Sequence, residues 1–113
     1  MQAPNPKLQQ AIQHHQNGQL NEAITLYKEL IQEGGAIASV YSNLSGALSQ
    51  QGKPKEAIEL LNSAISSFPN DIGMALSLGQ TYLSVGDLNN ARQLANSILL
   101  KFPTQGEAHF ILG

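Results

Sequence analysis

The sequence predicts an all-α fold built from stacked antiparallel helix pairs, and three observations support this prediction. Gly18, Gly52 and Gly86 recur every 34 residues along the 113-residue chain. Between these glycines, apolar residues recur three or four positions apart, which is the spacing of one helix face. No segment of the sequence shows convincing strand alternation between turn signals. A period of this length with two helical segments indicates a repeat array, in which each helix pair buries its apolar side against the next.

The first predicted pair spans residues 4–37, and Gly18 separates its two helices. Ala23 opens the second helix of this pair and recurs at the same period as Ala57 and Ala91. We interpret these alanines as points where the two helices of a pair approach closely, because a larger side chain there would overpack the contact.

The second predicted pair spans residues 38–71 and carries the clearest local signals. Gly52 ends its first helix, and Pro54 fits the first turn of the next helix, where the missing N–H costs nothing. Glu56 lies in the same turn and suits the positive end of the helix dipole. An apolar face follows at helical spacing: Ala57, Ile58, Leu60, Leu61, Ala64 and Ile65. Pro69 closes the unit.

The third predicted pair spans residues 72–105 and repeats this pattern. Gly86 separates the helices, Asp87 is a candidate N-cap for the second of them, and Pro103 closes the unit. The apolar face of its second helix comprises Ala91, Leu94, Ala95, Ile98 and Leu99.

Residues 106–113 predict the partial first helix of a fourth pair. We expect Ala108, Ile111 or Leu112 to pack onto the third unit. The sequence stops about two turns into this helix, with no polar helix to cover the last pair. We therefore expect a longer natural protein, and self-association through the uncapped C-terminal end.

The composition argues against several classes of function. A net charge of −2 and a pI near 5.8 do not supply the clustered basic face that nucleic acids or anionic membrane surfaces require. The chain contains no cysteine, which excludes disulfides, zinc–thiolate sites and thiol catalysis. It has no apolar run suited to a signal peptide or a transmembrane helix, so we expect a cytoplasmic location with no membrane partner.

No motif in the sequence points to catalysis, a metal or a cofactor. There is no nucleophile elbow, phosphate loop or dinucleotide fingerprint. His14 and His15 are adjacent, so on a helix their side chains point about 100° apart and do not readily hold one metal ion together. We therefore predict that the chain is not an enzyme and has no catalytic residue, metal site or cofactor.

Two stretches of the sequence resemble the tetratricopeptide repeat family. They are "YSNLSGALSQQGKPKEAIELLNSAISSFPND" and "ALSLGQTYLSVGDLNNARQLANSILLKFPTQ". The residues at the signature positions of that family are Leu78, Gly79, Tyr82, Gly86, Ala91 and Pro103. The resemblance covers residues 4–105 as three repeats and residues 106–113 as a truncated fourth. It implies a right-handed superhelical solenoid. The first repeat departs from the pattern, because Gln10, His14 and Gly35 stand where Leu, Tyr and Pro are usual.

The resemblance also implies where a partner would bind. In tetratricopeptide arrays the first helix of each pair lines a concave groove, which usually holds a peptide. The groove residues that follow from this geometry are Leu8, Ile12, His15, Ser42, Asn43, Gly46, Gln50, Leu76, Ser77, Gln80 and Leu83. All of them are uncharged when histidine is neutral. We therefore expect a scaffold or adaptor that binds a peptide or partner segment through amide hydrogen bonds and a few apolar anchors.

One subset of the family grips a C-terminal chaperone carboxylate with lysine, arginine and asparagine side chains. Only Asn43 matches that clamp, because Leu8, Ile12, Gly73 and Ser77 occupy the other positions. Without cations the clamp has no strong hold on a carboxylate, so we expect no binding of chaperone tails.

Two alternatives to the adaptor hypothesis stay open. The opening "LQQAIQHHQNGQLNEAITLYKELI" resembles the start of bacterial arrays joined to glycosyl- or sulfo-transferase domains. The chain would then be the substrate-recruiting arm of a larger enzyme. The other alternative is a self-assembly module.

Gly46 has two interpretations. It lies in the middle of a predicted helix, where glycine costs about 1 kcal/mol relative to alanine. It either lets a ligand backbone approach closely, or it is tolerated sequence drift.

Overall fold

The computed structural model describes residues 6–34 and 37–101, and these residues form six helices and no strand. The helices are α1 (Pro6–Gln16), α2 (Leu20–Gln32), α3 (Ala38–Gln50), α4 (Pro54–Ile65), α5 (Ile72–Ser84) and α6 (Leu88–Lys101). They form three consecutive pairs, α1/α2, α3/α4 and α5/α6, which confirms the prediction of an all-α helical repeat fold.

The helices stack so that the first helix of each pair lies on one face. Helix α3 contacts both α1 and α5, and each helix also packs against its neighbours in the chain. Helices α2, α4 and α6 are spaced farther apart. The layer of α1, α3 and α5 is therefore the concave face of the array, and the layer of α2, α4 and α6 is the convex face.

The three recurring glycines separate the helices of each pair, as the sequence predicts. Gly18, Gly52 and Gly86 adopt φ values of 78°, 85° and 79°, which lie in the left-handed region that glycine enters without penalty. The residue after each glycine donates its backbone N–H to a carbonyl five positions earlier, at 2.8–2.9 Å. These bonds satisfy carbonyls at the end of the first helix, as in a Schellman motif.

The predicted helix starts and close contacts are also confirmed. Pro54 is the first residue of α4, and Asp87 Oδ1 accepts a hydrogen bond from the backbone N–H of Asn90 at 3.2 Å. The side chains of Ala23, Ala57 and Ala91 are completely or almost completely buried. Each alanine therefore lies where a larger side chain has no space.

The core below the concave face changes in character along the array. Tyr27 is completely buried in the first pair, and the equivalent residues in the next two pairs are the buried Leu61 and Ala95. The first junction between pairs therefore has a large aromatic ring with a polar hydroxyl beneath it, and the second has an aliphatic side chain.

Several sequence-based predictions lie outside the described residues. These are the helix at residues 106–113 with its expected contacts, the role of Pro103, and the conformation of Gly35. The repeat boundaries at 4–37, 38–71 and 72–105 remain predictions.

Candidate functional site

The concave face contains one depression at each junction between helix pairs. The first concave depression, between α1 and α3, has a volume of about 370 Å³ and is lined by Ile12, His15, Gln16, Tyr27, Asn43 and Gln50. The second concave depression, between α3 and α5, measures about 430 Å³. It is lined by Ser42, Ser45, Gly46, Ser49, Gly73, Leu76, Ser77, Gln80, Thr81 and Ser84.

A hydrogen-bonded cluster centred on His15 fills part of the first concave depression. His15 Nε2 lies 3.1 Å from Gln50 Oε1, and His15 Nδ1 lies 3.4 Å from the Tyr27 hydroxyl. Because the amide oxygen can only accept, Nε2–H is the donor, and Nδ1 then accepts from the Tyr27 O–H. The two rings meet edge to face, with centroids 6.1 Å apart. This arrangement joins α1, α2 and α3 through side chains.

The protonation of Tyr27 supports the direction of these hydrogen bonds. Burial raises the pKa of the Tyr27 hydroxyl above its usual value of 10.0, and a hydrogen bond with Asn43 opposes part of this rise. The hydroxyl therefore keeps its proton at neutral pH and can donate it to His15.

Hydroxyl groups line the second concave depression, and most of them bond to their own helix. Ser45, Thr81 and Ser84 donate to backbone carbonyls three or four residues earlier, at 2.7–2.8 Å. The side-chain hydroxyls of Ser42 and Ser77 make no hydrogen bond to any residue in the described part of the chain. These two hydroxyls and the exposed side-chain amide of Gln80 can still accept from or donate to a ligand. Ser49 Oγ lies in the same lining and is buried without a hydrogen-bond partner among the described residues.

The two concave depressions occupy equivalent positions in the repeat but differ in side-chain size. Gly46 and Ser49 stand 34 residues after Ile12 and His15, and Ser77 and Ser84 stand 34 residues after Asn43 and Gln50. Four larger side chains at the first junction are thus replaced by three serines and a glycine. The second concave depression is therefore lined by smaller groups, and its volume is about 430 Å³ against about 370 Å³ for the first.

Gly46 is not required for close packing within the chain. A Cβ atom at this position would meet only His15 Cε1, at 3.9 Å, which is an ordinary van der Waals contact. The chain itself therefore accommodates alanine here, and the space above Gly46 belongs to the depression.

The structure brings most of the sequence-predicted groove residues together. Ile12, His15, Asn43 and Gln50 line the first concave depression. Ser42, Gly46, Leu76, Ser77 and Gln80 line the second.

Two predicted residues, Leu8 and Leu83, line neither depression. They are half-buried and pack against the apolar cores of their own ends of the array. Leu76 is only 7% exposed and packs with α6, so it forms part of the floor and does not project as an anchor.

Sequence reasoning missed Tyr27, because this residue lies on a second helix and the predicted groove residues all come from first helices. The signal that could have identified it is its polar hydroxyl at a position occupied by Leu61 in the next pair.

Neither concave depression carries a formal charge when histidine is neutral. None of the lining residues is Asp, Glu, Lys or Arg. The ion pairs in the described part of the chain lie away from the depressions: Lys7 with Glu29 and Glu33, and Lys28 with Glu56. The described residues that line these two depressions therefore offer hydrogen bonds and apolar contact, but no ionic anchor.

Residues 6–34 and 37–101 contain neither a metal-binding cluster nor a membrane-spanning helix. These residues hold no group of three or more His, Asp or Glu side chains that could bind a metal ion together. Their helices are also too short and too polar to cross a membrane.

Comparison with solved structures identifies the same fold in several tetratricopeptide domains. The second such domain of human RPAP3, solved in complex with an HSP70 peptide, is 24% identical with a TM-score of 0.83, and the match covers 94% of this chain and 88% of that one. The domain of Sgt2 from Aspergillus fumigatus is 19% identical with a TM-score of 0.83, covering 97% and 77%. A tetratricopeptide repeat protein from Parabacteroides merdae is 22% identical with a TM-score of 0.84, covering 94% and 43%.

The family comparison agrees with the fold. No curated protein matches the sequence. The family model described as Tetratricopeptide repeat matches residues 14–72 and 48–111, which together span most of the chain. The chain therefore belongs to the tetratricopeptide repeat family.

Proposed function

We propose that the concave face of α1, α3 and α5 binds an uncharged segment of a partner protein, with the second concave depression as its main contact. The observation that carries this proposal is the exchange of Ile12 and His15 at the first junction for Gly46 and Ser49 at the second. This exchange leaves an open depression in the middle of the face that peptides usually occupy in this family.

The lining of the second concave depression favours a segment without charges. A charged side chain placed there would lose water without gaining a counter-ion, which is unfavourable. The free hydroxyls of Ser42 and Ser77 can instead pair with backbone N–H and C=O groups of the segment. Leu76 in the floor provides apolar contact for one of its side chains.

The first concave depression would act as a rigid wall beside the bound segment. His15 is held by Tyr27 and Gln50, so this surface loses little side-chain freedom when a partner binds. Preorganisation of this kind favours affinity because fewer groups must be ordered on binding.

Peptide complexes of similar structures support a peptide-binding role for this chain. The acidic peptides in those complexes differ, however, from the uncharged segment that we propose here. The second domain of human RPAP3 holds the HSP70 peptide SGPTIEEVD, and the first domain of Spaghetti holds the HSP90 peptide SRMEEVD. Both peptides end in the sequence Glu-Glu-Val-Asp, which carries three acidic side chains. The concave depressions of this chain contain no lysine or arginine to pair with such side chains.

The proposed role is one of binding and assigns no reaction to the chain, as is general for tetratricopeptide domains. The recruiting-arm and self-assembly hypotheses remain predictions.

Panning of random dodecapeptides displayed on phage against the chain tests the proposal. We expect selected peptides that lack acidic C-terminal residues. We also expect their affinity to fall at least about tenfold, or roughly 1.4 kcal/mol, when Gly46→Ile and Ser49→His install the larger residues of the first junction. Ser77→Asn is a milder variant with the same aim. Ser66→His, at the exposed C-cap of α4, is the matched control.

Thermal unfolding followed by circular dichroism establishes that each variant is folded. Failure to select any peptide would contradict the proposed function. Selected peptides whose affinity is the same for the concave variants and for Ser66→His would contradict the placement of the site on the concave face.

A further inference from the structure

The convex face carries an apolar depression that the concave site does not use. This first convex depression lies between α2 and α4 and measures about 400 Å³. It is lined by Lys28, Ile31, Gln32, Leu44, Leu48, Glu56, Glu59, Leu60 and Ser63. Its floor consists of buried leucines from α3, and its rim carries the charged side chains.

The repeat contains an equivalent depression between α4 and α6, and this one is smaller. This second convex depression measures about 230 Å³ and is lined by Asn62, Leu78, Tyr82, Asn90, Gln93, Leu94 and Ser97. Each of these residues stands 34 positions after a residue of the first convex depression.

The replacement of Leu48 by Tyr82 accounts for the difference between the two sites. The Tyr82 ring lies among the lining residues of the second convex depression, and Asn62 Nδ2 donates to its hydroxyl at 3.0 Å. At the first junction Leu48 and Lys28 hold the same two positions, so no ring covers the leucine floor. The chain thus shows which kind of group fits over this floor, and leaves the place open at the first junction.

The charged side chains at the rim of the first convex depression indicate which charge a bound group would carry beside an aromatic ring. Lys28 Nζ lies 3.4 Å from Glu56 Oε1, while the exposed Glu59 makes no ion pair with any described residue. The equivalents of the two glutamates at the second junction are the uncharged Asn90 and Gln93. The rim of the first convex depression therefore carries one excess negative charge.

We propose that the first convex depression is a second binding site, which takes an aromatic side chain flanked by a lysine or arginine of a partner protein. The ring covers the floor of Leu44 and Leu48, as the Tyr82 ring does at the other junction. The basic side chain pairs with Glu59. This site lies on the opposite face from the proposed groove and does not depend on it.

Titration with three short peptides, followed by amide chemical shifts of the labelled chain, tests this site. The probe is acetyl-Gly-Lys-Tyr-Lys-Gly-amide, and the comparison peptides replace its tyrosine by alanine or its lysines by glutamates. We expect saturable shifts confined to α2, α4 and the adjoining turn of α3 with the first peptide. Neither comparison peptide should produce saturable shifts there.

Two variants and one control variant sharpen the test. Glu59→Gln should weaken binding of the first peptide by about threefold, the effect of losing one exposed ion pair. Glu22→Gln, which removes an exposed charge elsewhere on α2, should leave binding unchanged. Leu48→Tyr with Lys28→Asn should abolish the saturable shifts, since these residues fill the equivalent site.

Three results would overturn the proposal. These are shifts that do not saturate, shifts of equal size with all three peptides, and shifts that are as large in the second convex depression as in the first. Glu59 is exposed, so Glu59→Gln should fold normally and remains decisive if the double variant does not fold.

Discussion

The two junctions of this repeat array are built from equivalent positions of the repeat but have different surfaces. At the first junction His15 and its partners line the concave depression with large side chains, and the convex side is open over leucine. At the second junction small residues around Gly46 line the concave depression, and Tyr82 lines a smaller convex one of about 230 Å³. Residues that obey the repeat build the fold, and residues that depart from it decide which surface is available for binding.

The largest predicted effect concerns Ala57, which recurs with the repeat and belongs to the buried core that joins the first and second pairs. Ala57→Leu should lower the free energy of unfolding by about 1–3 kcal/mol, because the buried Ala57 contact has no space for a larger side chain. Urea denaturation measures this. Lys55→Leu, at an exposed position of the same helix, is the control. An equal effect of both substitutions would show that the contact at Ala57 is not tightly packed.

Removing the Tyr27 hydroxyl tests how much the His15 cluster stabilises the first junction. Tyr27→Phe should lower the free energy of unfolding by about 1 kcal/mol, because His15 Nδ1 loses its hydrogen-bond donor. Tyr41→Phe is the matched control, since the Tyr41 hydroxyl bonds to no described residue. If Tyr41→Phe lowered the free energy of unfolding as much as Tyr27→Phe, the His15 cluster would not stabilise the junction.

Comparison of Tyr27→Phe with the wild type also gives a prediction for the stability at high pH. The folded state raises the pKa of Tyr27 above 10.0, so folding favours its neutral form. The stability that this provides is fully present below pH 10 and falls as the pH rises through the folded pKa. Urea denaturation of wild type and Tyr27→Phe from pH 8 to 11 should therefore show the wild type losing its advantage at the alkaline end. A constant difference across this range would contradict the role of burial.

The open second junction is tested at Gly46. Gly46→Ala should raise the free energy of unfolding by about 0.5–1 kcal/mol, because the added Cβ meets only His15 Cε1 at 3.9 Å. Gly52→Ala is the contrasting variant and should destabilise the fold, since its φ of 85° disfavours any residue with a Cβ. Thermal unfolding distinguishes the two. Destabilisation by Gly46→Ala would show that glycine is needed for packing at the open junction.

The smallest predicted effect is on the convex side of the first junction. Lys28→Ala should change the free energy of unfolding by about 0.5 kcal/mol or less, because the Lys28–Glu56 pair is about half exposed. The effect should shrink further in 1 M salt, where exposed charges are screened. A large effect that does not depend on salt would mean that Lys28 stabilises this face through packing.

The helix starts and turns that repeat along the chain can be predicted from the sequence. The contacts that depend on how the helix pairs stack are seen only in the structure. The turns at Gly18, Gly52 and Gly86 follow from local signals, and so does the start of α4 at Pro54. The burial of Leu8 and Leu83 depends on how neighbouring pairs pack, which a pattern within one helix does not specify. The His15 cluster joins side chains of three helices, and its residues belong to no local sequence motif.

The proposal that the second concave depression recognises a partner segment is tested directly by amide chemical shifts of the labelled chain. The chain is titrated with a peptide selected by panning. We expect the largest shifts on α3 and α5 around Ser42, Gly46 and Ser77. Largest shifts on α2, α4 or α6, with α3 and α5 unaffected, would contradict it.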